Sequence, residues 1–250
     1  MTDELFSLQV MLVSAAPADQ DLFRRAASAS KVPIELIEAN GAASASRPIA
    51  GGVDVAFLDA GLGDEAVARL TSAARRTAKP PFTVLLSQPG AAGPFQTDAL
   101  AAKPSSLEEA KWLVDRSIRV RLPSRVLVLD DSPTMRAIVR KILEATRLPL
   151  ELTEAQQGSE ALELSRQIDF DMVFLDYNLP GLSGLETMAE IRREKRNPTF
   201  VLITSDQDPS VAERARAKGA AFLKKPFYIA DVEAVLCGFY GFRAFNPQRA

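Results

Sequence analysis

The chain has 250 residues, of which 47% are hydrophobic, and its 30 basic and 32 acidic residues give a formal net charge of −2. This length and apolar content predict two domains, and the balanced charge provides no basic surface for binding DNA or RNA, so nucleic acid is not an expected partner. Histidine is absent, which excludes histidine-based catalytic triads, histidine metal sites and a phosphohistidine carried by this chain.

The N-terminus and the cysteine content bear on the cellular compartment. The first ten residues, MTDELFSLQV, are acidic and contain no long apolar segment that would form a signal peptide or a membrane span. The single cysteine, Cys237, cannot form an internal disulfide. These features predict a cytoplasmic, soluble protein without membrane insertion.

A duplicated phrase is the first organised feature along the chain. PIELIEANG at residues 33–41 returns as PLELTEAQQG at residues 149–158, with one extra glutamine. Further landmarks recur 116 or 117 residues apart for three pairs and 122 apart for the last: Val10 and Val126, Asp59 and Asp176, Ser87 and Thr204, Lys103 and Lys225. The sequence therefore predicts a tandem duplication, with domains spanning residues 1–121 and 122–250.

Two segments of the first half are poor in helix-forming residues. Residues 40–52, NGAASASRPIAGG, and residues 88–97, QPGAAGPFQT, combine proline with glycine where the duplication requires helices. We therefore expect the second helix of this half to be weakened. We expect the helix between Ser87 and Asp98 to be lost.

The second half alternates short apolar strands with stretches of helical period. Ser132 and Pro133 suit the start of its first helix, because serine caps helices and proline fits the first turn. The predicted strands are VLVLD, LELTE, MVFLD, FVLIT and AFLK, and the helices after the first are SEALELSRQI, GLETMAEIRR, SVAERARAK and one beginning near Asp231. This alternation predicts an α/β fold in which each half forms a doubly wound, five-stranded parallel sheet.

Polar residues follow these strands at the edge where ligands bind in open parallel sheets: Asp130, Asp131, Asp176, Thr204 and Lys225. Three crowded carboxylates require a neutralising cation, and oxygen ligands favour Mg²⁺. Asp176 is predicted to attack a phosphoryl group and to form an aspartyl phosphate. The Lys225 ammonium and Mg²⁺ would neutralise the phosphoryl charge, and the Thr204 hydroxyl would donate to a phosphoryl oxygen.

The second half resembles the receiver domain of response regulators across residues 124–241. The motifs that carry the resemblance are DDSPTMR, FLDYNLPGLSGLE, the TS pair at residues 204 and 205, and KKPF. DDSPTMR is most similar to stand-alone, chemotaxis-type receivers. The resemblance implies a flavodoxin-like fold and a role in two-component signal transduction.

The resemblance also implies roles for individual residues. The metal ligands would be Asp130 through water, Asp131 directly, Asp176 and the backbone carbonyl of Asn178. Asp176 would be the phosphoacceptor, Thr204 the switch hydroxyl and Lys225 the charge-neutralising lysine. Phe222 would be the aromatic side chain that reorients on phosphorylation, although its strand position alone would predict an ordinary core residue.

The first half keeps only part of this set. VSAAP stands where the second half has LDDSP, so Ser14 and Ala15 replace both carboxylates of the acidic pair. Asp59, Ser87 and Lys103 persist, and an ion pair between Asp59 and Lys103 is sufficient to explain those two residues. We therefore expect the first domain to be a pseudoreceiver, a degenerate receiver that keeps the fold without the chemistry.

The predicted function is that of a response regulator phosphorylated on Asp176 in trans. Because the chain has no histidine, the phosphoryl donor is expected to be another protein, and the resemblance to receiver domains implies a histidine kinase or a phosphotransfer protein. Only a short aromatic segment follows the last helix, which predicts output through an unidentified downstream protein rather than through a DNA-binding or enzymatic domain. Its residues Phe239, Tyr240, Phe242 and Phe245 suit either a docking surface or packing onto their own sheet.

Two other classes of protein are alternatives. A haloacid-dehalogenase-like phosphatase also combines an aspartate nucleophile with Mg²⁺, but it has a second acid two residues beyond the nucleophile, where this chain has Asn178. An inert scaffold would not need the acidic pair, Asp176, Thr204 and Lys225 together. The sequence thus favours a non-enzymatic phosphoacceptor.

Overall fold

The computed structural model describes residues 7–88, 97–146, 148–194, 196–206 and 208–244. These residues form two compact units, one containing the chain up to Arg121 together with the segment from Tyr240, and the other spanning Leu122–Phe239. No helix within the described ranges has the combined length and hydropathy of a membrane-spanning segment.

The first unit contains five parallel strands: β1 (Leu8–Val13), β2 (Ile34–Ala39), β3 (Val55–Asp59), β4 (Phe82–Ser87) and β5 (Ala99–Ala102). They pair in the order β2-β1-β3-β4-β5. Its helices are α1 (Pro17–Ser28), α2 (Ala42–Ala50), α3 (Asp64–Arg75) and α4 (Leu107–Arg121), and a 3₁₀ turn at Ala60–Leu62 follows β3. Helices α2 and α3 cover one face of the sheet. Helices α1 and α4 pack together on the other face, where Phe23 contacts Phe57.

The second unit repeats this plan. Its strands are β6 (Ser124–Leu129), β7 (Leu150–Ala155), β8 (Met172–Asp176), β9 (Thr199–Thr204) and β10 (Ala221–Lys224), which pair in parallel in the order β7-β6-β8-β9-β10. Its helices are α5 (Pro133–Glu144), α6 (Gly158–Gln167), α7 (Gly184–Arg193), α8 (Pro209–Ala217) and α9 (Ile229–Phe239). The predicted fold class is therefore confirmed.

The side chains of β8 alternate between the two faces of this sheet, as a strand buried on both sides requires. Val173 and Leu175 lie in the core with α6, α7 and α8, whereas Met172 and Phe174 lie in the core with α5 and α9. The apolar run ends at Asp176, which lies at the carboxyl edge of the sheet. Burial on both faces thus fixes the position of this carboxylate.

Local sequence signals fix the starts of the two helices that follow β6 and β8. Ser132 accepts a hydrogen bond from the Met135 amide at the start of α5, as its capping role predicts. Ser183 and Glu186 form a capping box at the start of α7, in which each side chain accepts a hydrogen bond from the other residue's backbone amide. These capping contacts therefore fix where α5 begins after β6 and where α7 begins after β8.

Helix α2 forms over nine residues, and the expectation that this helix is weakened stays a prediction about its stability. Pro48 lies inside it and cannot donate to the carbonyl of Ser44, but Ala45 and Ile49 are fully buried against the core. Burial of this apolar face compensates for the poor helix propensity. Residues 89–96 lie outside the described residues, so the predicted loss of a helix there stays a prediction.

Residues 240–244, here called the C-terminal segment, pack within the first unit. Strand β11 (Arg243–Ala244) pairs antiparallel with β5 and becomes the sixth strand of the first sheet. Tyr240 and Phe242 are buried, and the Phe242 ring lies 5.9 Å from the ring of Phe82. The sequence instead assigned this segment to the second domain, either exposed for docking or packed on that domain's sheet. Phe245 lies outside the described residues.

Candidate functional site

The predicted polar residues of the second unit lie at one edge of its sheet. The strand order reverses between β6 and β8, and such a reversal opens a crevice at the carboxyl ends of parallel strands. Asp130 directly follows β6, Asp176 ends β8, Thr204 ends β9 and Lys225 directly follows β10. The structure therefore brings together residues that are up to 95 positions apart in the chain.

Lys225 bridges two buried carboxylates in this crevice. Its Nζ lies 2.6 Å from Asp176 Oδ1 and 3.1 Å from Asp130 Oδ2. Asp176 is 6% exposed and Asp130 is 3% exposed, so both carboxylates have lost most of their hydration. One ammonium thus serves two carboxylates, and the three groups together carry an uncompensated negative charge.

Backbone amides hold the remaining oxygen of each carboxylate. The Asn178 amide donates to Asp176 Oδ2 at 2.9 Å, and the Ser132 amide donates to Asp130 Oδ1 at 2.9 Å. Each carboxylate therefore has one oxygen fixed by the backbone and the other by Lys225. The orientation of both groups is set before any ligand arrives.

The pKa values of Asp176 and Lys225 are both shifted from their ordinary values. Burial raises the pKa of Asp176 above its ordinary value, repulsion from Asp130 acts in the same direction, and Lys225 opposes both without reversing the shift. Burial by itself would lower the pKa of Lys225, but its hydrogen bonds to Asp176 and Asp130 outweigh burial and raise that pKa. The lysine is therefore cationic at neutral pH, while ionised Asp176 would be stabilised by a further positive charge.

The donor chemistry of this edge fits Mg²⁺. Asp131 follows Asp130 and is exposed, and all the candidate donors are oxygens, which Mg²⁺ prefers. Within the part of the chain that the structure describes, no three acidic or cysteine side chains converge as a ready-made metal cage. The two buried carboxylates already share one cation, and their excess negative charge favours a second. Direct coordination by Asp131 and by the Asn178 carbonyl stays a prediction.

Thr204 and Phe222 occupy neighbouring strands beside the crevice. Thr204 is fully buried, and its Oγ1 accepts a hydrogen bond from the Asp206 amide at 3.0 Å. Its carbonyl accepts from the Lys225 amide at 2.7 Å, which ties the lysine to the end of β9. Phe222 is half-buried and packs on the core formed with α6, α7 and α8. Their switch roles stay predictions.

The carboxyl edge of the first unit's sheet holds a cluster of charged and polar side chains that contact one another. Lys103 Nζ lies 2.9 Å from Asp59 Oδ2, so the predicted ion pair is present, and it also lies 2.8 Å from Asp19 Oδ2. The Ser14 hydroxyl is within hydrogen-bonding distance of both carboxylates. Sequence reasoning missed Asp19, which lies in the first turn of α1 at the position equivalent to Met135. Its place two residues after the helix-starting proline was the available signal.

The pKa of the strand-end aspartate is shifted in opposite directions in the two units. Burial by itself would raise the pKa of Asp59, but hydrogen bonds from Lys103, the Gly61 amide and Ser14 outweigh it, and the pKa lies below its ordinary value. Burial by itself would lower the pKa of Lys103, and its two carboxylate partners instead raise it. The protein thus favours ionisation of Asp59 and disfavours ionisation of Asp176.

Comparisons with known proteins connect this geometry to a family. Residues 126–236 match the family model of the response regulator receiver domain. The chain is 30% identical over 115 residues to the chemotaxis protein CheY-3 of Vibrio cholerae, with 45% of this chain and 88% of that protein covered. It is 32% identical over 130 residues to the nitrate/nitrite response regulator protein NarP of Escherichia coli strain K12, with 50% of this chain and 60% of that protein covered.

The wider matches define how far the similarity extends. The chain spans 31% to 65% of the length of the first three curated relatives that it matches. A solved structure described as a "probable two-component system response regulator/GGDEF domain protein" aligns with 94% of this chain and 98% of its own, with a TM-score of 0.57 and 21% identity, which shows a similar fold. The family match contains the whole carboxyl-edge crevice from Asp130 to Lys225. The chain therefore belongs to the response regulator receiver domain family.

Proposed function

We propose that the chain is a two-component response regulator whose second unit is phosphorylated on Asp176 in the presence of Mg²⁺. The observation that carries the proposal is the contact of Lys225 with both Asp176 and Asp130 in a buried crevice. Asp130 and the adjacent Asp131 have no carboxylate counterpart in the first unit, where Ser14 and Ala15 stand. A buried carboxylate with a raised pKa beside a second carboxylate is costly for a protein that uses neither. Phosphoryl transfer to Asp176 would use both carboxylates and so explains why they are placed together.

The residues of the crevice divide the chemistry among them. An Asp176 carboxylate oxygen attacks the phosphorus of the donor, the new O–P bond forms, and the leaving group departs with the electrons of its own bond to phosphorus. The Asn178 amide and Lys225 orient the attacking carboxylate. Lys225 then balances part of the nearly two negative charges that the product carries, and the Thr204 hydroxyl donates to a phosphoryl oxygen.

The metal would be held at the acidic side of the crevice. Its ligands would be Asp130, Asp131, Asp176 and the backbone carbonyl of Asn178. When bound, Mg²⁺ supplies additional neutralisation of the phosphoryl oxygens. The uncompensated negative charge around Lys225 supports this assignment, because one ammonium does not balance the carboxylates gathered there.

Two kinds of protein partner are proposed, a phosphoryl donor and a downstream protein. The chain has no histidine, so the phosphoryl donor would act in trans, and the match to the receiver domain family leads us to assign it to a histidine kinase or a phosphotransfer protein. Output would pass through a protein contact. Tyr228 is 70% exposed and Ile229 is 45% exposed just beyond Lys225, and large apolar side chains on a surface favour protein binding.

The first unit would be a pseudoreceiver comprising residues 1–121 completed by the C-terminal segment. Ser14 and Ala15 replace the acidic pair, and Lys103 is occupied by Asp19 and Asp59. Lys103, like Lys225, contacts two carboxylates, but hydrogen bonds within the cluster hold the pKa of Asp59 below its ordinary value, whereas the pKa of Asp176 lies above it. The first unit would therefore neither bind Mg²⁺ nor accept a phosphoryl group.

Exposure to acetyl phosphate with and without Mg²⁺, followed by intact-protein mass measurement, tests the proposal. We expect one phosphoryl adduct that requires Mg²⁺. Continuous turnover of phosphate esters would instead favour the haloacid-dehalogenase-like phosphatase, although Asn178 stands where that class has its second acid. No adduct and no turnover under either condition would favour an inert scaffold.

A further inference from the structure

Arg136 is a buried cation beside the acidic pair that the proposed chemistry does not use. Its side chain is in α5 and is 7% exposed as a residue. Its Nη1 lies 2.7 Å from the carbonyl oxygen of Asp130 and 3.5 Å from that of Asp131, and its Nε lies 3.1 Å from Glu154 Oε2. One guanidinium thus joins α5, the end of β7 and the loop that carries both carboxylates.

Glu154 accepts a hydrogen bond from this guanidinium and another from a second arginine. Arg140 Nε lies 2.7 Å from Glu154 Oε1. Burial by itself would raise the pKa of Glu154, but hydrogen bonds from Arg140 and Arg136 outweigh it and lower the pKa. Glu154 is therefore an anion at neutral pH. Arg140 shares this anion but forms no hydrogen bond to the acidic loop among the described contacts, which makes it a matched control for Arg136.

The first unit contains an arginine–glutamate pair equivalent to Arg140 and Glu154. Arg24 and Glu38 stand at the positions equivalent to Arg140 and Glu154, 116 residues earlier in the chain, and they pair at 3.0 Å. The arginine–glutamate pair between the first helix and the second strand is thus present in both units. The first unit contains this arginine–glutamate pair although it lacks the acidic pair. The arginine–glutamate pair by itself therefore does not distinguish the proposed phosphorylation site.

The two units differ at the neighbouring position. Gln20 stands where the second unit has Arg136, and its Nε2 donates to the Ser14 carbonyl at 2.9 Å. Ser14 is the residue equivalent to Asp130, so a side-chain donor to this carbonyl is present in both units. The positive charge is present only in the unit that carries the carboxylates. Glutamine at this position is therefore long enough to keep the hydrogen bond without the charge.

We propose that Arg136 is a positioning residue for the acidic pair: its hydrogen bond to the Asp130 carbonyl fixes the loop that presents Asp130 and Asp131 to Mg²⁺. The proposal rests on the proposed function of the second unit. A fixed loop lowers the cost of gathering ligands around a cation, whereas the charge of Arg136 by itself repels that cation. The hydrogen bond and the charge thus make opposite predictions for Mg²⁺ affinity, and substitutions can separate them.

The test uses Arg136→Met, which removes both features, Arg136→Gln, which keeps the hydrogen bond, and Arg140→Met as the control. Calorimetry measures the Mg²⁺ dissociation constant of each unphosphorylated protein. Positioning predicts that Arg136→Met weakens Mg²⁺ binding roughly tenfold, while Arg136→Gln and Arg140→Met stay within about threefold of wild type. Hydrogen exchange without metal gives a second measurement. The Ser132 amide, which donates to Asp130, should exchange faster in Arg136→Met than in the other variants.

Each outcome decides the proposal. Equal tightening of Mg²⁺ binding in Arg136→Met and Arg136→Gln would show that Arg136 acts through its charge, and would overturn positioning. Unchanged affinity and unchanged Ser132 exchange in Arg136→Met would overturn it as well. If Arg136→Met does not fold, Arg136→Gln alone decides, because a change beyond threefold in either direction contradicts positioning. If wild type binds no Mg²⁺, the proposed function fails, and Ser132 exchange still tests the loop.

Discussion

Asp59 and Asp176 occupy equivalent strand ends but have opposite electrostatic surroundings. Lys103, Gly61 and Ser14 satisfy Asp59 and lower its pKa. Burial dominates at Asp176 and raises its pKa, despite the contact with Lys225. The surroundings of each carboxylate, rather than its place on the strand, therefore decide whether ionisation stabilises the fold.

The stability of each unit should respond to these carboxylates with opposite sign. Because the pKa of Asp59 is lowered, its ionisation stabilises the fold above pH 3.8, and this contribution is lost as the pH falls through the folded-state value. Because the pKa of Asp176 is raised, its ionisation opposes folding as the pH rises from 3.8 through the folded-state value. At pH 7 without Mg²⁺, Asp59→Asn should lower the unfolding free energy by roughly 1 to 3 kcal/mol, and Asp176→Asn should not lower it.

Urea unfolding measures this contrast. The single tryptophan, Trp112, lies in α4 and reports on the first unit, and circular dichroism follows both units. Unfolding at pH 7 and pH 4 separates the ionisation effect from packing effects. A larger loss of stability in Asp176→Asn than in Asp59→Asn would contradict the electrostatic difference between the two sites.

Residue-scale prediction from sequence succeeded where a strand determines the position of the residue. Asp176 ends a strand and Lys225 directly follows one, and the carboxyl ends of parallel strands meet at one edge. Asp19 and Arg136 reach their partners from helices, and their contacts depend on how each helix packs on its sheet. Sequence spacing does not define that geometry, so both residues were missed.

At the scale of elements, α7 lies against the end of β8 because Gly184 has no side chain. A Cβ atom at this position would lie 2.3 Å from the Asp176 carbonyl oxygen and 3.2 Å from Leu202 Cδ1. Neither neighbour moves freely, because Asp176 is fixed in the sheet and Leu202 is part of the buried core. The approach of the helix start to Asp176 therefore depends on this glycine.

Gly184→Ala should disturb both the fold and the site. The substitution should lower the unfolding free energy of the second unit by roughly 1 to 3 kcal/mol, because the overpacked contact forces α7 away from the sheet. It should also slow Mg²⁺-dependent phosphorylation by acetyl phosphate. Gly238→Ala in α9 is the control, because a Cβ atom there meets nothing within 4 Å, and it should leave stability unchanged or raise it by up to about 1 kcal/mol. Equal effects of the two substitutions would contradict the close-approach argument.

Sequence reasoning located the elements of the second unit well because their signals are local. Pro133 and the capping box at Ser183 mark helix starts, and apolar runs mark the buried strands. The contribution of tertiary contacts to α2, in which Ala45 and Ile49 are buried, could not be predicted from the sequence. Local propensity contains no information about that burial.

At the scale of the whole molecule, the first unit is discontinuous in sequence. Tyr240, Phe242 and strand β11 complete it after the entire second unit has been traversed. Sequence patterning could not predict this, because a two-residue strand has no usable periodicity and its pairing with β5 is a tertiary contact. The Trp112 ring lies against this segment at Gly241, where an added Cβ atom would approach within 2.8 Å.

Deletion of residues 240–250 should therefore destabilise the first unit and spare the second. Loss of two buried aromatic side chains should lower the unfolding free energy of the first unit by about 3 kcal/mol or more. Trp112 fluorescence should shift because the ring loses its contact with the segment. Phosphorylation of Asp176 should persist and is the control. Unchanged stability of the first unit after the deletion would contradict its discontinuous architecture.

Phosphorylation of the matched aspartate variants tests the central claim most directly. Wild type, Asp59→Asn and Asp176→Asn are each incubated with acetyl phosphate and Mg²⁺, and intact-protein mass counts the phosphoryl groups gained. Wild type and Asp59→Asn should each gain one group, because the site in the second unit is intact in both. Asp176→Asn should gain none. A phosphoryl group on Asp176→Asn, or its loss from Asp59→Asn, would contradict the assignment of Asp176 as the phosphoacceptor.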